Sequence, residues 1–519
     1  MTRAETGIRG SPPAASTRAL VEKGARVFGF LQVVLQARTS RLLVLVLLLT
    51  TGAVWEAWKV SAFSSDEIWC HLRIGTWILH NHAVPRTGLF SQFASSRWID
   101  FSWIYDAFCG AVYAQLGLRA VPLLLMMFRV ALAAVTFVVA GGRHNFWWAV
   151  ALAALAQFAF FNPQPLPTLF SICFLGLALH WILEARRRNE LTRLLLLPPL
   201  FWLWANLDAQ FVLGLLLLLT LLFAEIIEET LRLVGICKTD LPRIPLAHLV
   251  AIAAACVIAT IITPYSIHLI PAALQSAYGP VLFKNFAYMA AMSFRQPQPF
   301  VLALLLFSAC LALGRQHSHD IFKIVLLVLW AALAFRIQRD NWTIVLPSIA
   351  VIGEAFRAHS DERVVVGYRG WGREGLYLGA GVALVLALSF IFLPTNPRLE
   401  TRVESVFPAK ACDYIRNNHL AGPVFNDYGW GGYLMWRLPE YPVSIDERLN
   451  LYGDEFTDAH FEVVMGKRKM ETLPGFASQR VILLPVKLSM AKALTTIPLL
   501  HQQFREVYRD SIAIVLVRR

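Results

Sequence analysis

Apolar stretches about the length of a membrane-spanning helix, roughly 20 residues, recur from residue 41 to residue 393 of this 519-residue chain. That repetition constrains the fold more than any motif. With 57% hydrophobic and only 16% charged residues, a soluble domain could not cover its own surface with polar groups. A mean hydropathy of +0.55 says the same. The runs lie near 42–63, 119–140, 146–161, 166–183, 194–205, 211–231, 246–264, 298–313, 321–335, 341–356 and 375–393. They predict an α-helical polytopic membrane protein with about eleven transmembrane helices. Two runs are short, and Pro198-Pro199 interrupts the second of them. A broken helix at membrane depth requires protein or a cavity to shield its backbone.

The formal charge of +13 does not point to nucleic acid, because the cations sit in short loops between apolar runs. Every second loop is basic, as with Arg186, Arg187, Arg188 and Arg193, and again with Arg357. This is the positive-inside pattern, and it predicts a cytoplasmic N-terminus. Residues 1–40 read as a basic cytoplasmic tail, 41–393 as the transmembrane module with an external loop at 64–118, and 394–519 as a small extracytoplasmic α/β domain. Within the last, 408–419 reads as a helix, while 423–426, 443–445 and 481–484 read as strands. Residues 504–517 read as a hairpin turning at Arg509-Asp510. The seven cysteines show no C-x-x-C spacing, so neither a disulfide framework nor a metal cluster is read from them.

Asp66-Glu67 follows the first apolar run directly. Paired carboxylates at a membrane boundary are costly and invite a functional reading. They also begin an amphipathic helix, in which Ser65 would cap and both acids would favour the first turn. His71 follows Glu67 by four residues, so the two share a helical face; hydrogen-bonded loop histidines are the simpler reading of His71, His80 and His82.

The run Asp66, Trp69, His71-Leu72, Gly75, Trp77-Ile78-Leu79, then Pro85-Arg86-Thr87 and Trp98-Ile99-Asp100-Phe101-Ser102-Trp103, resembles a bacterial branch of the GT-C superfamily of membrane glycosyltransferases. The Asp-Glu pair is similar to that of protein O-mannosyltransferases and related polyprenyl-phosphate-sugar enzymes. Trp204-Ala205-Asn206-Leu207-Asp208-Ala209-Gln210-Phe211 resembles a further element of the branch, with Asp208 in place of His and Ala209-Gln210 in place of a glycine pair. Thr263-Pro264-Tyr265 is similar to its Asn-Pro-Tyr turn, and Arg336 and Arg339 stand where it carries an external Arg-rich turn. Phe425 to Leu434 and Ser444-Ile445-Asp446-Glu447-Arg448 resemble its soluble-domain motifs, with Glu447 where glycine is usual. Asp427-Tyr428-Gly429 is similar to an acceptor-binding element of oligosaccharyltransferases that lacks here its two leading tryptophans.

The resemblance covers nearly all of the chain after residue 41. It implies a GT-C-like enzyme that transfers a sugar from a polyprenyl-phosphate donor to a glycan, lipid or protein acceptor at the outer face of a bacterial plasma membrane. Asp66 would be the general base, oriented by Glu67. A divalent cation such as Mg or Mn, where one takes part, would be shared by these two acids. Arg336 and Arg339 would hold the donor phosphate, since guanidinium groups pair bidentately with phosphate oxygens. Their alternative is interfacial anchoring among membrane lipids. Trp69, His71, Asp100, Asp427, Tyr428 and Asp446 would contact acceptor or substrate. For Asp427-Tyr428-Gly429 a glycine turn is the simpler reading, and for Asp446 an ion pair with Arg448 is. Two other functions are compatible with such a chain: a flippase or transporter of lipid-linked sugars, and a catalytically silent organiser of envelope assembly. No internal repeat favours transport.

Overall fold

The computed structural model describes residues 38–59, 63, 65–142, 145–160, 166–235, 244–316, 320–359, 373–497 and 502–519. The basic tail with its amphipathic stretch, and also His317 and His319, lie outside the described residues.

The first apolar run forms α1 (Arg38–Lys59), and the acidic motif opens α2 (Glu67–Asn81). An irregular segment leads into α3 (Trp103–Leu116), which continues through a 3-10 turn into α4 (Ala120–Val139), so that residues 103–139 make one long helical rod. Then follow α5 (Phe146–Ala159), α6 (Thr168–Arg188), α7 (Leu197–Ala205), α8 (Phe211–Leu233) and α9 (Leu246–Ile261). A broken stretch carries α10 (Leu269–Tyr278) and α11 (Pro280–Asn285) ahead of α12 (Pro297–Arg315), α13 (Ile321–Arg336), α14 (Val345–His359) and α15 (Arg373–Phe392).

Six helices are long and apolar enough to cross a membrane, or seven if α9 and the segment after it, bent by 103°, count as one broken span. The expectation of about eleven spans is therefore not reproduced. The runs near 146–161 and 194–205 become helices of 14 and 9 residues, the second preceded by a 3-10 turn. Those near 321–335 and 341–356 become helices of 16 and 15 residues. At a rise of about 1.5 Å per residue these fall short of a ~30 Å hydrocarbon layer. Hydropathy alone cannot separate such helices from full spans.

After α15 come α16 (Asn396–Glu404), α17 (Ala409–Asn417), β1 (Val424–Asn426), α18 (Gly431–Arg437), α19 (Leu449–Val464), β2 (Val481–Pro485), α20 (Ser489–Thr496), β3 (Phe504–Arg509) and β4 (Ala513–Arg518). The four strands form one sheet in the order β1-β2-β4-β3, with β1 parallel to β2 and the other pairs antiparallel. The β3–β4 hairpin turns at Asp510, whose carboxylate accepts the Ile512 and Ala513 N–H groups at 2.7 Å each. The segment 443–445, expected as a strand, makes only isolated bridges: Val443 pairs with Val424 and with Ser91. The second bridge joins the loop after α2 to the edge of the C-terminal sheet.

The helix ends sort into two groups. At one end α2, the irregular segment 82–102, α11 and the C-terminal elements pack together. Lys284 of α11 pairs with Asp458 and Glu462 of α19 at 2.7 and 3.2 Å. At the other end Arg186 meets Glu225, Glu228 and Asp320 at 2.8, 3.5 and 2.9 Å, Lys323 meets Glu354 at 2.6 Å, and Arg357 meets Glu184 at 2.9 Å. Arg186 and Arg357 of the basic loops thus share one end, where acids hold them.

Candidate functional site

The site is built where α2 meets α3 and α18. Ser65 begins α2 by accepting the Glu67 N–H at 3.3 Å. Two glycines then set how closely α2 and α3 approach: a Cβ added to Gly75 would stand 1.8 Å from the Asp106 carbonyl oxygen, and one added to Gly110 would stand 2.5 Å from the Gly75 carbonyl carbon. The same register brings His71, one turn before Gly75, to Asp106, one turn before Gly110. His71 Nδ1 and Asp106 Oδ1 are 2.6 Å apart in the protein interior. Burial opposes a charged imidazole, but the carboxylate of Asp106 more than reverses this, and His71 is raised to about 10. Asp100, 3% exposed, accepts the Ser102 N–H at 3.0 Å and faces Asp106; burial pushes its carboxyl well above the ordinary range.

Asp66 does not face open space. It is 4% exposed, and its two oxygens accept the backbone N–H groups of Gly432 and Tyr433 at 2.7 Å each. These are among the first amides of α18, which lack partners within the helix. Burial raises Asp66 to about 8 against the opposing pull of those amides. Gly432 is needed for this approach, since a Cβ there would lie 2.6 Å from the Asp66 carbonyl oxygen. Asp66 therefore ties the first loop to the C-terminal segment, and the open carboxylate is its neighbour. The Glu67 side chain is 42% exposed and lies 3.7 Å from His71 Nε2.

Of the other expected contacts, Trp69 is fully buried among Phe63, Phe407, Tyr433 and Trp436, where it packs rather than binds. Asp446 is 0% exposed; its carboxylate accepts from Arg448 at 2.7 Å and from the Tyr452 hydroxyl at 2.6 Å. Burial would raise Asp446, but the Arg448 guanidinium overrides it and holds the carboxyl below its usual range. Asp427 accepts the Gly429 N–H at 3.1 Å, closing the turn expected there. Tyr428 is half-buried against Phe286 and Phe461.

The two arginines behave differently. Arg336 is exposed at the end of α13, its guanidinium 5.5 Å from the Phe283 ring centroid. Arg339 is bound to the fully buried Asp340 through Nε and Nη2, at 2.8 and 3.0 Å, and lies over the Tyr278 ring. Gln210 also donates to Asp340, at 3.4 Å. Asp208, the position that departs from the branch's pattern, hydrogen-bonds Ser171.

Three participants escaped the sequence reading. Asp106 could have been found from the offset of 35 residues that separates both His71 from Asp106 and Gly75 from Gly110. Asp340, next to an arginine already singled out, carried no signal beyond that. Glu447 was visible only as a departure from glycine; it stands beside the acidic pair, and burial pushes it well above the carboxylate range, with the charges of Glu67, Asp66 and Asp446 adding to that. Among the described residues no three His, Cys, Asp or Glu side chains are arranged to hold a metal ion. The expected Asp66–Glu67 metal pair does not fit either, because both Asp66 oxygens are already bound to amides.

No protein-family model matches the chain, and no curated protein does. Among solved structures, the chain is similar to the apo crystal structure of an Archaeoglobus fulgidus oligosaccharyltransferase, with a TM-score of 0.52 and 10% sequence identity. The match covers 93% of this chain and 74% of that one. At this identity the likeness concerns the fold alone: a helical array carrying a C-terminal module. Helices apolar enough to span a bilayer make this a membrane protein.

Proposed function

We propose that this chain is an integral membrane glycosyltransferase that moves a sugar from a polyprenyl-phosphate-linked donor to an acceptor hydroxyl. The reaction would run at the end of the helix array beneath the module formed by residues 394–519. We place that end outside a bacterial plasma membrane, with the N-terminal tail in the cytoplasm. The observation that carries the reading is Glu67: a half-exposed carboxylate with an imidazole behind it that a buried carboxylate orients.

In this reading Glu67, not Asp66, takes the proton from the acceptor O–H as that oxygen attacks the anomeric carbon. The bond from that carbon to the phosphate oxygen breaks, and its electrons leave with the polyprenyl phosphate. His71, held by Asp106, stands behind Glu67 and fixes its position. Arg336, with the remaining Arg339 N–H donors, would stabilise the departing phosphate. Asp66 contributes by docking α18 against α2.

The test is turnover by purified protein on a panel of polyprenyl-phosphate sugars. Glu67→Gln should cost about 10²–10⁴ in rate with normal thermal stability. Asp66→Asn should lower thermal stability, because an amide cannot satisfy both N–H donors. Turnover that survives Glu67→Gln unchanged would refute the assignment. Movement of lipid-linked sugar between leaflets without transfer would replace an enzyme with a flippase.

A further inference from the structure

The charges around the site are paired in a way that leaves a remainder. Arg448 is bound to Asp446, His71 to Asp106 and Arg339 to Asp340. Each of these three cations thus has a carboxylate within 3 Å. Glu447 is left over, and Glu67 has only a share of His71, which is already bound to Asp106 and lies 3.7 Å away through Nε2. No cation among the described residues pairs with Glu447, and its Oε2 is buried without a hydrogen-bond partner. His71 Nε2, in a residue 7% exposed, has no hydrogen-bond partner either and faces Glu67.

The backbone brings these two glutamates together. Gly431 packs so tightly on residues 445–446 that a Cβ would stand 2.3 Å from the Ile445 carbonyl oxygen, while Gly432 does the same against Asp66. Residues 66–67 and 446–447 therefore flank the glycine pair. Tyr428 and Tyr288 complete the surroundings, both within electrostatic reach of Glu67 and Glu447. The Phe286 ring links them, 5.1 Å from Tyr288 and 5.3 Å from Tyr428. Unmatched carboxylates bordered by aromatic faces favour a cation over a neutral or anionic group.

We propose that Glu67 and Glu447 form a receptor for a positively charged nitrogen on the substrate, an ammonium-bearing sugar being the simplest such group. The proposal rests on the glycosyltransferase reading and narrows its substrate class. A resident divalent ion is the less favoured source of positive charge, because the two glutamates have no third protein ligand arranged with them.

The experiment uses the full chain in detergent and matched probes, glucosamine and N-acetylglucosamine, each offered as a polyprenyl-phosphate-linked donor and as a soluble acceptor. Binding and turnover are measured separately. The amine form should bind about tenfold more tightly than the acetylated form in one of these roles, as expected for a charged hydrogen bond lost on acetylation. Glu447→Gln should abolish that preference and Glu447→Asp should keep most of it, with thermal unfolding showing that both variants fold. Equal binding of the two forms in both roles would overturn the receptor. So would manganese binding, measured with the metal alone, that Glu447→Gln removes while the amine preference stays absent. Preferential binding without transfer would leave the receptor standing and refute the reaction; transfer without amine preference would do the reverse.

Discussion

His71 shows how a single pairing shapes this site. Its ordinary value of 6.5 rises to about 10 in the fold, because the Asp106 charge outweighs the burial that opposes it. The folded state thus holds this proton more tightly than the unfolded chain does. The contribution is complete below 6.5 and disappears as pH climbs toward about 10. The stability difference between wild type and His71→Gln should therefore shrink steadily from pH 7 to pH 10 in thermal unfolding. A difference that stays constant over that range would mean His71 is not held as a cation. At this scale the sequence drew attention to Asp66 and Glu67 but could not show how differently the fold places them. Asp66 and Glu67 are adjacent in the chain, and nothing local distinguishes them. Their separation comes from two amides 366 and 367 residues away, which take Asp66 and leave Glu67 open. Trp69 and Asp446 drew attention for the same reason, being polar or aromatic in a notable motif, and tertiary packing made both internal.

Between elements, the decisive contact is the α2–α3 crossing. An alanine at Gly75 would drive its Cβ into the Asp106 carbonyl, only 1.8 Å away, so either the helices separate or His71 loses its partner. Gly75→Ala should cost about 3 kcal/mol in unfolding free energy, the upper part of the overpacking range. Gly314→Ala, in α12 with open space around it, should change little. Helix propensity alone would favour alanine at both positions, so a loss at Gly75 no larger than the change at Gly314 would show that the crossing does not govern the cost. Periodicity revealed α2 and the α17 segment accurately, since each carries an amphipathic face. It missed the continuity of α3 with α4, because Gly117 reads as a stop, whereas the chain passes it in a 3-10 turn. The strand expected at 443–445 has the right residues, but lies at the sheet edge and pairs only through Val443.

For the molecule as a whole, Arg186 and Arg357 from two of the basic loops meet acids at one end of the helix array. The number of spans was not available from hydropathy, because the short helices are as apolar as the long ones. In a variant lacking its seven native cysteines, Ser95→Cys and Lys467→Cys should react with a membrane-impermeant thiol reagent from outside the cell. Asn189→Cys and Arg315→Cys should react only after permeabilisation; the reverse pattern would invert the proposed orientation and move the reaction to the cytoplasm. The union of Asp66 with α18 also carries a consequence in time. At about 5–20 residues per second, the ribosome makes the Gly432 and Tyr433 amides roughly 20 to 70 s after the carboxylate they will hold. Through that interval Asp66 lacks these amides, and the first loop can reach its final form only once residue 433 has been made. Maturation of this site is thus gated by the segment that carries residues 432 and 433, and a nascent chain stalled before it would carry the six long apolar helices described above and no finished site.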